Sequence, residues 1–141
     1  MAEAGPRWFP APRAGDIVWC RFPQHKLSGP GPKARPALVL RVGEDNKERP
    51  VVEVAYGTSR KVDSLYAGEF AILPSDRAAF AAAGLSYPTK FNLRETFELD
   101  FNDTWFAVPP GALHGQSPKL GVLHPSLMRR VAAAARAARN Q

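Results

Sequence analysis

GDIVWCRFPQHKLSGPGPKARPALVL, residues 15–40, is the stretch on which the reading of this chain turns. It reads as a strand from Asp16 to Phe22, a polar loop carrying Gly29, Pro30, Gly31 and Pro32, and a second strand from Pro36 to Leu40 entered through Arg35. The run Ala37-Leu38-Val39-Leu40 is apolar scaffold. A basic side chain where a flexible loop meets a rigid strand stands where binding and catalytic groups concentrate, which makes Arg35 the first functional candidate.

Outward from that hairpin the pattern stays short-stranded. Pro50 to Ser59 (PVVEVAYGTS) is a third strand whose valines suit a pleated surface, with Thr58 and Ser59 at its exit, and Glu69 to Leu73 is a short fourth. Ser75 as N-cap, an alanine-rich body and Gly84 just past the end predict a short helix. From Thr89 to Phe101, residues Phe91, Leu93, Phe97, Leu99 and Phe101 recur by twos, which predicts a long strand with one buried face, bent near Glu95. Asn102-Asp103 offers a tight turn into TWFAV, hence a β-hairpin, and Gly111 to Gly121 reads as loop. Ser126 caps a C-terminal helix over 126–139, with Leu127, Val131 and Ala134 or Ala135 as its apolar stripe. With no alternation of strand and helix, the pattern predicts a mainly β fold, a small barrel with a short internal helix and a C-terminal helix. Residues 1–14 form a Pro- and Ala-rich arm that Trp8 and Phe9 can anchor, and 15–141 form one domain.

Composition narrows the function classes. No apolar run approaches the ~20 residues of a membrane span, the N-terminus lacks the apolar centre of a secretory signal, and the single cysteine suits a reducing compartment, so a cytoplasmic protein is expected. Cys20 on the first strand reads as packing. Nineteen Lys and Arg against thirteen Asp and Glu give +6, which favours a polyanionic partner. Four arginines in the last thirteen residues (Arg129, Arg130, Arg136, Arg139) carry part of that excess, which without them is two. Three scattered histidines give no metal-ligand spacing, and Gly29 to Gly31 lacks the ending of a phosphate loop.

The GDI-W opening, the Gly-rich loop and RPALVL resemble the start of the PemK/MazF toxins, the toxin halves of bacterial type II toxin-antitoxin pairs. The resemblance implies an SH3-like barrel, a homodimer held by an acidic antitoxin, and metal-independent cleavage of single-stranded RNA through a 2′,3′-cyclic phosphate, with no cofactor. It implies a cleavage role for Arg35 and for a threonine at the exit of the third strand, where Gly57, Thr58 and Ser59 are the choices and Thr58 the candidate. Such cleavage needs donors for the phosphate charge, which Arg35 and a hydroxyl supply, and groups that move two protons. Here the chain departs from the family. The first-loop glutamate is missing from Pro30 to Ala34, and Lys90 and Asn92 stand where other members have an arginine and an aspartate. His25, in the same loop, is the substitute proton carrier, though beside Gln24 and Lys26 it also reads as a solvated side chain. Lys33, Ser59, Lys90, Asn92, Tyr56 and Trp105 are candidate RNA contacts, the two aromatics by stacking on splayed bases. The alternative is a barrel that kept its partner surface and lost cleavage, serving as an RNA- or protein-binding module.

Overall fold

The computed structural model describes residues 5–24 and 29–140. Six strands, β1 (Asp16–Cys20), β2 (Arg35–Glu44), β3 (Pro50–Thr58), β4 (Glu69–Ile72), β5 (Thr89–Asp100) and β6 (Lys119–Val122), form one curled antiparallel sheet in the order β4-β5-β3-β2-β1-β6. Two helices complete it: α1 (Ala78–Ala83), and α2 (Met128–Arg139) near the end of the chain. This is the mainly β half-barrel that the strand pattern predicts.

The uninterrupted apolar run in β2 has a direct cause: both faces of the sheet are covered. Ile17, Leu38, Ala55, Phe70, Ile72 and Phe91 share one face, closed by Ala79 and Ala83 of α1 and by Leu127 and Ala134 at α2. Val18, Cys20, Val39, Val52, Val54 and Leu99 share the other, closed by Phe9, Phe101 and Phe106, whose rings meet at 5.9 Å (Phe9 with Phe101) and 4.8 Å (Phe101 with Phe106). Cys20 is fully buried there, and burial pushes its thiol far above the ordinary range, which leaves it a packing residue.

Strand β5 departs from the one-faced reading. Ala55 pairs with Thr96 but the next residue, Tyr56, pairs with Asn92, so Leu93, Arg94 and Glu95 have no partner across β3. Three extra residues are an odd number, and side chains alternate by twos, so this bulge exchanges the faces. Phe91 and Leu93 pack in the helix-covered core, whereas Phe97, Leu99 and Phe101 pack in the other. The alternation in the sequence, interrupted once at Glu95, therefore spans two cores.

The TWFAV hairpin does not form. Asn102 accepts the N–H groups of Thr104 (side chain, 3.0 Å), Trp105 and Phe106 (carbonyl, 3.2 and 3.0 Å), and the chain leaves this turn along β1 instead, Ala107 donating to Trp19 and Arg21 to Trp105. Nor is Gly111 to Gly121 all loop, because Lys119–Val122 pairs with β1 as the edge strand β6. Both serines are displaced as caps. Leu73 N–H donates to Asp76 at 2.8 Å ahead of α1, and Ser126 N–H donates to His124 Nδ1 at 3.1 Å ahead of α2. Gly84 ends α1 in the left-handed conformation (φ 68°), as its position predicts, and a Cβ there would run into the Leu120 carbonyl.

A bidentate pair ties α2 to the sheet: Arg130 donates to both Asp76 oxygens, at 2.7 and 2.9 Å, and to the Ala71 carbonyl at 3.1 Å. Arg130, and then the Leu73 N–H, hold the Asp76 carboxyl below the usual carboxylate range. A depressed folded-state value means stability that is present above the ordinary carboxylate pKa and lost as pH falls through the folded one. Asp76→Asn is therefore expected to lower Tm at pH 7, and the gap to the parent is expected to narrow as pH falls below the ordinary carboxylate range in thermal melts across pH.

Candidate functional site

Arg35 opens β2 opposite Cys20 of β1, and the antiparallel register that pairs Ala37 with Tyr56 brings Arg35, two residues earlier, beside Thr58, two residues later. Two features make that approach possible. Gly31 N–H closes the base of the first loop on the Phe22 carbonyl at 3.0 Å. Gly57 lets β3 lie against β2, since a Cβ there would collide with the Pro36 carbonyl and stand 2.8 Å from the Phe91 ring. Gly57 is thus a packing position, and the two residues that follow it, Thr58 and Ser59, line a cavity.

That cavity, about 330 Å³, is lined by Arg35, Thr58 and Ser59 together with Trp19, Tyr87 and Leu113. The half-buried Thr58 accepts the Arg60 N–H at 3.1 Å through its Oγ1, which leaves its O–H proton free to donate. Part of the wall comes from 84–87, seated by the close contact of Gly84 and Gly121 between α1 and β6. A second, more open groove of about 680 Å³ lies on the other side of Arg35, with Lys33, Tyr56, Gln24, Phe22 and Glu95. Tyr56 is braced edge-on by Phe22, ring centres 4.9 Å apart. Arg35 therefore borders both a largely apolar pocket and a polar groove with a second cation.

Residues 13–138 match the family model described as PemK-like, MazF-like toxin of type II toxin-antitoxin system. The chain belongs to the PemK/MazF family. Among curated proteins none matches it. Membership in a type II toxin family implies an antitoxin partner, and no helix among the described residues is long and apolar enough to cross a membrane.

Of the residues singled out from the sequence, the structure brings together Arg35, Thr58 and Ser59 in the pocket and Lys33 and Tyr56 in the groove. His25 lies outside the described residues. Lys90 lies elsewhere: it is buried beneath the 60–69 connection, where its ammonium meets Glu69 Oε1 at 3.0 Å and the Ser64 carbonyl at 3.1 Å and stacks over Tyr66. At the position of the family's arginine, this lysine is a structural cation. Asn92 accepts the Arg94 N–H at 2.9 Å and so pins the β5 bulge. Trp105 packs against the second core and borders neither cavity. Sequence reading passed over Tyr87, in a segment without periodicity, and Glu95, for which a signal existed: it occupies an in-phase position of the Phe91–Phe101 alternation, where an apolar residue is expected.

Proposed function

We propose that this chain is a cytoplasmic endoribonuclease toxin that cuts single-stranded RNA without a metal, as a homodimer controlled by an acidic antitoxin. The observation that carries the reading is the meeting of Arg35 and Thr58, from two strands, in one pocket beside a groove that also holds Lys33. In the proposed reaction the ribose 2′-oxygen attacks the adjacent phosphorus, its proton passes to a base, and the 5′-oxygen leaves with a proton, giving a 2′,3′-cyclic phosphate and a 5′-hydroxyl. Arg35 supplies a planar fork for the charge that gathers on the non-bridging oxygens, and the Thr58 hydroxyl donates to one of them. Trp19 and Tyr87 offer faces on which a base beside the cut can stack. Ser59, Lys33 and Tyr56 are assigned to contacts along the strand, and His25, in the first loop, is retained as a proton carrier. An acidic antitoxin segment drawn to Lys33 and Arg35 would occupy the donors that RNA needs, so one surface serves both.

The test is incubation of the purified protein with single-stranded RNA in EDTA. Cleavage with cyclic phosphate ends is expected, slowed about 10-fold to 100-fold by Thr58→Val, which keeps the shape and deletes one donor. Binding of RNA without cleavage would favour a binding module instead. That second reading draws on one observation: among the described residues, no carboxylate or imidazole lines the Arg35–Thr58 pocket.

A further inference from the structure

We infer that Glu95 is the base that takes the 2′-hydroxyl proton, an inference that rests on the endoribonuclease reading above. Among the described residues, Glu95 is the one acidic side chain lining either of the two cavities that share Arg35. It is exposed, and no ion pair among the described residues engages it, whereas Asp16, Asp45, Glu53, Glu69 and Asp76 each hold a cation.

Its position is built by the backbone. The three-residue bulge lifts 93–95 off β3, with the Leu93 N–H held by the Gly68 carbonyl at 2.8 Å and the Arg94 N–H by Asn92. The stem of Arg94 runs over Gly68, which is not part of the groove, while Glu95 lines it with Lys33 from the first loop, Arg35 at the start of β2 and Tyr56 from β3. Bulges that re-aim one side chain are characteristic of active sites.

Electrostatics gives the second argument. A carboxylate in a groove that receives phosphates weakens binding of the polyanion, so its presence there serves something other than affinity. Proton acceptance is the chemistry a carboxylate supplies. Lys33 and Arg35 are the cations that line the groove with it, and Tyr56 is the phenol. In the step, the 2′-oxygen forms a bond to phosphorus as its proton passes to Glu95, the bond from phosphorus to the 5′-oxygen breaks, and that oxygen takes a proton from solvent water. Glu95 afterwards returns its proton to solvent. The acid absent from the first loop is thus supplied from β5, three residues beyond Asn92.

The experiment is single-turnover cleavage of an RNA oligonucleotide in EDTA by the whole protein and by Glu95→Gln and Glu95→Asp, with RNA affinity measured separately by anisotropy. Glu95→Gln should cleave at least ~100-fold more slowly while binding RNA as tightly as the parent or more so. The parent's rate should fall on acidification and that of Glu95→Gln should not, with Glu95→Asp partly restoring both rate and pH dependence. A Glu95→Gln rate within about 3-fold of the parent, an unchanged pH profile, or a parallel loss of RNA affinity would overturn the assignment and leave the endoribonuclease reading standing. A parent that cleaves no RNA would overturn both.

Discussion

Arg35→Ala is expected to slow RNA cleavage by roughly 10²–10³-fold while leaving thermal unfolding close to that of the parent. The guanidinium borders both cavities, so no other described side chain can take its place against a phosphate that spans them. Its stability role is small, because among the described residues it holds no ion pair and it stands at the first position of its strand. Arg35→Lys is expected to recover only part of the rate, since an ammonium keeps the charge and loses the planar fork. Single-turnover rates beside melting curves check this. An Arg35→Ala protein that cleaves like the parent would remove Arg35 from the reaction, and one that melts far lower would make it a structural residue.

The second large effect is on stability and lies at the other end of β5. Lys90 and Glu69 are a buried ion pair, their side chains only 6% and 7% exposed, and Glu69 Oε1 also accepts the Tyr66 N–H at 2.7 Å. Glu69→Ala would leave an ammonium in the interior without its counter-charge, at a cost of about 3–5 kcal/mol. For a chain of this size that lowers Tm on the order of 10 °C. The double variant Glu69→Leu with Lys90→Met should recover most of the loss, because it is the orphaned charge and not the missing attraction that destabilises. If the single variant melted within about 1 kcal/mol of the parent, water would have to reach Lys90 Nζ, contrary to its burial.

The pattern of the chain made the sheet legible because its strands announce themselves through alternation and apolar runs, and the β3 and β4 boundaries follow from turn residues, whereas β1 stops at Cys20, short of Phe22, and β2 runs on past Leu40 to Glu44 because β3 pairs with it that far. Two strand readings missed for one reason: what decides them is non-local. Lys119–Val122 is too short and too interrupted, by Pro118 before it and Gly121 within it, to read as a strand, and it becomes one only because the free edge of β1 lies beside it. TWFAV carries strand residues, but the hydrogen bonds at Asn102 send it to β1 rather than back along β5. The site divides similarly. Arg35 and Thr58 stand at junctions visible in the sequence, whereas the register that makes them neighbours is not. Lys90 shows the converse, since charge alone does not reveal that a lysine is buried against a glutamate twenty-one positions away. Glu95 interrupts an apolar stripe in plain view, but its meaning depends on a bulge that shifts pairing by three residues.

The place of β6 bears on how the protein is made. β1 has one neighbour, β2, close behind it, but its other, β6, leaves the ribosome about a hundred residues later, after roughly 5–20 s of synthesis. Until then the Asp16–Val18 part of the β1 edge is open, and the pocket lacks Leu120 and the contact with Gly121 that seats the 84–87 wall. A ribosome-bound chain that already carries Arg35, Thr58 and Glu95 therefore has residues proposed for cleavage but no finished pocket. A protein that cuts RNA would be harmless to its own message until β6 has been translated and docked.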